Sequence, residues 1–157
     1  MKNTSALFLQ AAVVLLGIGV LALMLWEPHL EGRNAHATTF EIYFKDPFLA
    51  YVYVGSIPFF VALYRAFGLF GHVRQTGAFS QQSVESLRAI KRCALTLIAF
   101  VAGAAVFIVL LGDGEDRAGG VFMCALAIVG SSIAAVVAAL FARNLQNSLQ
   151  RSALGRA

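Results

Sequence analysis

The chain has 157 residues, 59% of them hydrophobic and only 13% charged, and carries a formal net charge of +4; its mean hydropathy is +0.77. Soluble domains hold roughly 45–50% apolar and about 25% charged residues, so this inventory is too poor in charge to cover a water-facing surface. The charges also avoid four long apolar stretches, which excludes a soluble enzyme, an ordinary nucleic-acid-binding domain and a disordered chain, and predicts a small polytopic membrane protein.

A hydrocarbon layer of roughly 30 Å needs about 20 apolar residues in a helix. Only helices and closed barrels satisfy every backbone group without water, and none of the four stretches shows the alternation of a barrel strand. The first predicted span runs Ala6–Trp26, with Gln10 as its single polar interior residue, close to the start. It exceeds the roughly 7–15 apolar residues of a signal-peptide core, and the small-x-small run Ala35-His36-Ala37 falls well past its end. It is therefore read as a span and not as a cleaved leader.

The loop that follows places His29 and His36 among four carboxylates. Zinc needs three or four ligands at disciplined spacing, and neither HxxxH nor CxxC occurs, so the loop is read as solvated with no metal. Trp26, Tyr43, Tyr51 and Tyr53 fit an aromatic belt at the membrane interface. The second predicted span runs Pro47–Phe70; its uncharged core ends at Tyr64, and Arg65 reaches the interface by snorkelling. Pro58 lies within it, removes a backbone donor and predicts a local bend.

The next connection is patterned. Ser80 is the expected N-cap, with Ser83 where a complete capping box calls for Glu or Gln. Val84, Leu87, Ala89, Ile90 and Ala94 keep one side apolar, while Arg88, Lys91 and Arg92 cluster before the third span. This predicts an amphipathic connector over about 80–92, seated on the inner membrane surface. Val84, Leu87, Arg88, Lys91 and Arg92 form the candidate partner surface.

The third span runs Cys93–Leu111, interrupted only by Thr96. A tight polar turn, Gly112–Arg117, then makes spans three and four antiparallel neighbours. Its three acids fall short of the twelve-residue loop that calcium requires. The fourth span runs Gly119–Ala142, with Ser131 and Ser132 as its most polar members. Two small-residue ladders at four-residue spacing share it: Ala127, Ser131, Ala135 and Ala139, and then Gly130, Ala134 and Ala138. Such faces let another backbone approach closely. Ala99 and Gly103 repeat the spacing on span three, so the expectation is packing of three against four, or a homo-oligomer through the same face. The fold predicted for the whole chain, 1–157, is all-α, an integral membrane antiparallel four-helix bundle.

Lysine and arginine in short loops set orientation. With the amino terminus inside, Lys2, Arg65, Arg74, Arg88, Lys91, Arg92, Arg143, Arg151 and Arg156 are cytoplasmic, against Arg33, Lys45 and Arg117 outside. Both termini are thus expected in the cytoplasm. The cations then face an anionic leaflet, worth roughly 1 kcal/mol each, and no direct nucleic-acid binding is expected. Cys93 and Cys124 fall at opposite membrane faces in this topology, too far apart to pair.

Intramembrane carboxylates and cations mark proton and ion paths, and the uncharged cores of these spans hold none. No P-loop, GxSxG or clustered His/Asp/Ser set occurs. No catalytic residue, cofactor or metal site is predicted, and the chain is expected not to be an enzyme.

Two stretches carry a family resemblance. Asp46–Tyr64, ending Ile57-Pro58-Phe59-Phe60-Val61-Ala62-Leu63-Tyr64, resembles the second helix of the bacterial membrane family catalogued as domain of unknown function 2975. Gly77-Ala78-Phe79-Ser80 through Leu87-Arg88-Ala89-Ile90 resembles the loop that follows it there, and Phe141–Asn147 is similar to the exit of its fourth span. Members often end in an acidic tail; this chain ends Gln150-Arg151-Ser152-Ala153-Leu154-Gly155-Arg156-Ala157 and lacks it. The genes of that family often lie beside small helix-turn-helix regulators, so the resemblance implies a membrane partner in regulation.

The leading expectation is a non-enzymatic interaction or regulatory membrane protein. Its contact surface toward a cytosolic protein would be Phe79 to Arg92 with the extension Arg143 to Gln150. The alternative is a small oligomeric transporter or channel with a pathway near Pro58 and the Ser131-Ser132 pair.

Overall fold

In an apolar medium a helix satisfies each N–H and C=O within its own segment, so long uncharged runs of leucine, valine and alanine adopt it by default. The computed structural model describes residues 3–30, 47–76, 78–111 and 117–155. Four helices fill almost all of them: α1 (Asn3–Leu30), α2 (Pro47–Thr76), α3 (Gln81–Leu111) and α4 (Arg117–Leu154). All four are long and apolar enough to cross a membrane. The 28 residues of α1 extend about 42 Å and the 38 of α4 about 57 Å at 1.5 Å per residue, beyond the roughly 30 Å of hydrocarbon. Residues 31–46 and 112–116, with His36, Tyr43 and the acids Asp113, Glu115 and Asp116, lie outside the described residues, as does the side chain of His29.

Pairings between neighbours run in opposite directions. On α1, Gln10 Nε2 donates to the Phe67 carbonyl at 3.3 Å, a Cβ at Gly17 would stand 3.3 Å from Leu63, and the Met24 carbonyl accepts from Tyr53 at 2.7 Å. Ascending α1 is descending α2. Between α2 and α3, Phe48 stacks on Phe107 at 5.2 Å, Tyr51 pairs with Phe100 at 5.4 Å, and His72 meets Ser80. Between α3 and α4, Gly120 lies under Ile108 and Gln146 meets Arg88. The fold is an antiparallel four-helix membrane bundle, as the sequence predicts. Its broad interfaces join α1 to α2, α2 to α3 and α3 to α4, the last the most extensive. Among the described residues α1 and α4 share no broad interface, so the four helices form an open row.

Packing is inverted relative to a soluble protein. The buried positions of α4 are Ser131, Ala135, Ala138 and Ala142, and Ala94 and Ala104 are buried on α3. The large aliphatics point outward: Leu15 is 69% exposed, Leu23 66% and Leu110 72%. Lipid tails are as apolar as leucine, so nothing drives large side chains inward, and helices associate where small residues allow close backbones. In water the same outer surface would be an unsustainable apolar patch.

One end differs. Where α1 begins, α2 ends and α3 begins, Ala6, Val73, Ser83 and Val84 are 1% exposed or less, a small conventional core. The connector expected over about 80–92 is helical and forms the first turns of α3 without a break before the span; no glycine or proline occurs between Gln81 and Gly103 to interrupt it.

The incomplete capping box is completed by serine. Ser80 N–H donates to Ser83 Oγ at 3.2 Å, and the Ser80 carbonyl accepts from Ser83 and Val84 N–H, which marks Ser80 as the N-cap. This frees Ser80 Oγ to pair with His72 Nε2 at 2.9 Å, while Thr76 Oγ1 is shared between the His72 and Ala78 carbonyls. Ser83→Ala is expected to cost about 1 kcal/mol, the scale of a lost cap, because Ser80 N–H loses its acceptor. Thermal unfolding in detergent checks this against Gln82→Ala, which is exposed and should be neutral.

Candidate functional site

Polar chemistry concentrates at the basic end. The α2–α3 junction forms a cleft of about 160 Å³ lined by Arg65, His72, Gln82, Ser83 and Ser86, with Tyr64 beside them. Across the same end, Gln10 joins α1 to α2 twice: beyond its bond to the Phe67 carbonyl, its Oε1 accepts from Arg74 Nη1 at 3.3 Å. Gln10 is only 8% exposed, and this pairing explains how the one polar residue of span one is tolerated there. Among the described residues no fully buried side-chain nitrogen or oxygen lacks a partner, so the buried polar groups here are satisfied internally.

The candidate partner residues divide. Val84 is 0% exposed, so one turn after the start of α3 it belongs to the core and is unavailable to another molecule. Leu87 is half-buried, and Arg88, Lys91 and Arg92 are exposed. Arg88 Nη2 donates to Gln146 Oε1 at 2.6 Å, which ties the start of α3 to the extension of α4 beyond its apolar stretch. A second cleft, of about 120 Å³, opens there between Arg88, Lys91, Arg143 and Gln146.

The packing candidates divide as well. Ser131, Ala135 and Ala138 are buried against α3, while Gly130 and Ala134 are exposed and a Cβ at Gly130 would meet nothing within 4 Å. Gly103 does not face α4. It faces α2, where the Tyr51 hydroxyl occupies the place of its missing Cβ. Pro58 is half-buried and α2 continues through it. Cys93 and Cys124 are both free thiols.

At membrane depth an apolar cavity of about 190 Å³ lies between α1, α2 and α3, lined by Val20, Met24, Gly55, Phe59 and Phe100 among others. Its two hydroxyls are engaged: Tyr51 donates to the Phe100 carbonyl at 3.0 Å and Ser56 to the Tyr53 carbonyl at 2.7 Å. Among the described residues no three His, Cys, Asp or Glu side chains come close enough to hold a metal ion.

Sequence reasoning placed Tyr51 and Tyr53 in an interfacial belt and did not identify them as interhelical donors, and it left Gln10 and His72 without partners. The signal for Gln10 was its isolation in an apolar span; for the others, residue type alone names a donor but not the helix that accepts.

A protein-family model described as "Protein of unknown function (DUF2975)" matches residues 33–152. The "Uncharacterized membrane protein YoaS" of Bacillus subtilis (strain 168) is 36% identical over 150 residues, covering 95% of this chain and 94% of that protein. No solved structure matches the chain. With four apolar helices in antiparallel order, a family match over most of its length and a full-length relative that is itself a membrane protein, the chain belongs to the DUF2975 family of multi-pass membrane proteins.

Proposed function

We propose that this is a non-enzymatic interaction protein of the bacterial inner membrane, with both termini in the cytoplasm, that regulates by docking a cytosolic protein. The docking surface runs from Phe79 to Arg92 and continues onto Arg143 to Gln150, with Val84 assigned to the core beneath it. The observation that carries the reading is the 2.6 Å hydrogen bond from Arg88 to Gln146. It joins two segments far apart in sequence into one exposed polar face, on the side of the bundle where basic residues cluster. Phe79, 38% exposed beside the cap of α3, supplies an aromatic anchor of the kind that dominates protein interfaces.

Transport finds less support. The intramembrane cavity offers no carboxylate, histidine or basic side chain, its hydroxyls are already bonded, and the two parts of the expected pathway sit on α2 and α4, which share no broad interface among the described residues.

The test is affinity capture from solubilised membranes followed by a binding titration with the purified captured protein. The wild type is expected to hold it, and the Phe79→Asp/Arg92→Glu double variant to weaken it at least about tenfold, the loss of one hot spot. Unchanged binding by that variant, or flux of ions or solutes in proteoliposomes with no captured protein, defeats the proposal.

A further inference from the structure

The cleft between α3 and α4 has the composition of an anion site at a depth where one kind of anion is abundant. Arg88 and Lys91 stand one turn apart on α3, and Arg143 faces them from α4. None of the three has a carboxylate partner among the described residues. Glu85, one turn before Arg88 on α3, is not part of the lining. Arg88 is held in place by Gln146 at 2.6 Å, which uses one of its five N–H donors and leaves the rest of the fork available. Three uncompensated cations around one cleft repel one another; an anion seated between them removes that repulsion and accepts charge-assisted hydrogen bonds.

The depth follows from the helices. The apolar run of α4 ends at Ala142 and that of α3 begins at Cys93, so the cleft lies where the hydrocarbon gives way to headgroups. Ala139 and Ala142 form its floor, small enough for a glycerol backbone to lie against α4. Immediately deeper on each helix, Leu95 (50% exposed) follows Lys91 by one turn and Val136 (56% exposed) precedes Ala139 by one turn. A basic rim, a small-residue floor and an exposed aliphatic track below it match a phosphate with acyl chains attached.

We infer that this cleft binds the headgroup phosphate of one anionic phospholipid, with Arg88, Lys91 and Arg143 as its ligands, as basic pockets between membrane helices do. The site shares Arg88, Lys91 and Arg143 with the proposed docking surface and differs from it in its floor, Ala139 and Ala142. The lipid therefore fills the groove between the two helix ends and is part of how they are held side by side.

Native mass spectrometry of the full-length chain in neutral detergent, titrated with phosphatidylglycerol, phosphatidylcholine or inorganic phosphate, tests this. The wild type is expected to retain phosphatidylglycerol at lower concentration than phosphatidylcholine. Lys91→Gln and Arg143→Gln should each weaken that preference, and together reduce it about tenfold or more, given the share of each cation. Arg92→Gln/Arg151→Gln removes the same charge at exposed positions outside the cleft and should leave it within about twofold. Thermal unfolding without added lipid should be unchanged in all of these exposed-site variants. An equal loss in the Arg92/Arg151 variant would mean general surface charge and overturn the site. Equal retention of the two lipids would overturn it, as would displacement of phosphatidylglycerol by millimolar inorganic phosphate, which would identify a free-anion site instead.

Discussion

Gly103→Val is expected to destabilise the bundle by about 2–3 kcal/mol, the upper range for forcing volume into a packed interface, read as a lowered midpoint of unfolding in mixed micelles. A Cβ at Gly103 falls on the Tyr51 hydroxyl, and that hydroxyl donates to the Phe100 carbonyl at 3.0 Å. A Cβ at Gly55 would likewise come within 3.2 Å of the Phe100 ring. Phe100 is thus the knob and Tyr51 and Gly55, one turn apart on α2, are its socket. The cause can be separated from loss of helix quality by a double-mutant cycle. Tyr51→Phe alone removes one intramembrane hydrogen bond, about 0.6 kcal/mol on average. In that background Gly103→Ala should cost clearly less than in the wild type, because the atom its methyl would strike is gone. Additive effects would mean that Gly103 is needed for some reason other than Tyr51.

The second large effect is an asymmetry on α4. Ala138 is 3% exposed and faces α3, whereas Ala134 is exposed. Ala138→Leu is expected to cost about 1–3 kcal/mol by prising apart the broadest interface of the fold. Ala134→Leu, identical in chemistry and one turn away, should stay within about 0.5 kcal/mol. Gly130→Ala, with open space around its Cβ, should raise stability by up to about 1 kcal/mol through helix propensity. The same unfolding measurement ranks all three. If Ala134→Leu proved as costly as Ala138→Leu, the outer ladder would be covered by a second copy of the chain and not by lipid.

These two predictions turn on faces, and faces were the part of the fold least legible beforehand. Gly103 and Ala99 looked like one small-residue face meeting the ladders of α4, yet Gly103 faces α2 and Ala99 is exposed. The two α4 ladders looked equivalent, yet Ser131, Ala135 and Ala138 are buried while Gly130 and Ala134 are not. Val84 read as partner surface because it lies on the apolar side of the patterned connector, and it is the most buried of the described residues. The cap at Ser80, by contrast, was readable, since it depends on residues three positions apart.

The number of spans, their order, their antiparallel sequence and the clustering of cations at one end came from the amino-acid sequence alone. Each depends only on how many uncharged residues stand in a row and on which side of that row the lysines and arginines fall. The open row of helices, the Phe100 socket, the Gln10 and His72 pairings and the cleft between Arg88 and Arg143 were decided by tertiary structure. A soluble helix announces its inner face by hydropathy, but here tails and neighbouring helices are equally apolar. Only the shapes of small and large side chains, brought together in three dimensions, choose which face meets which.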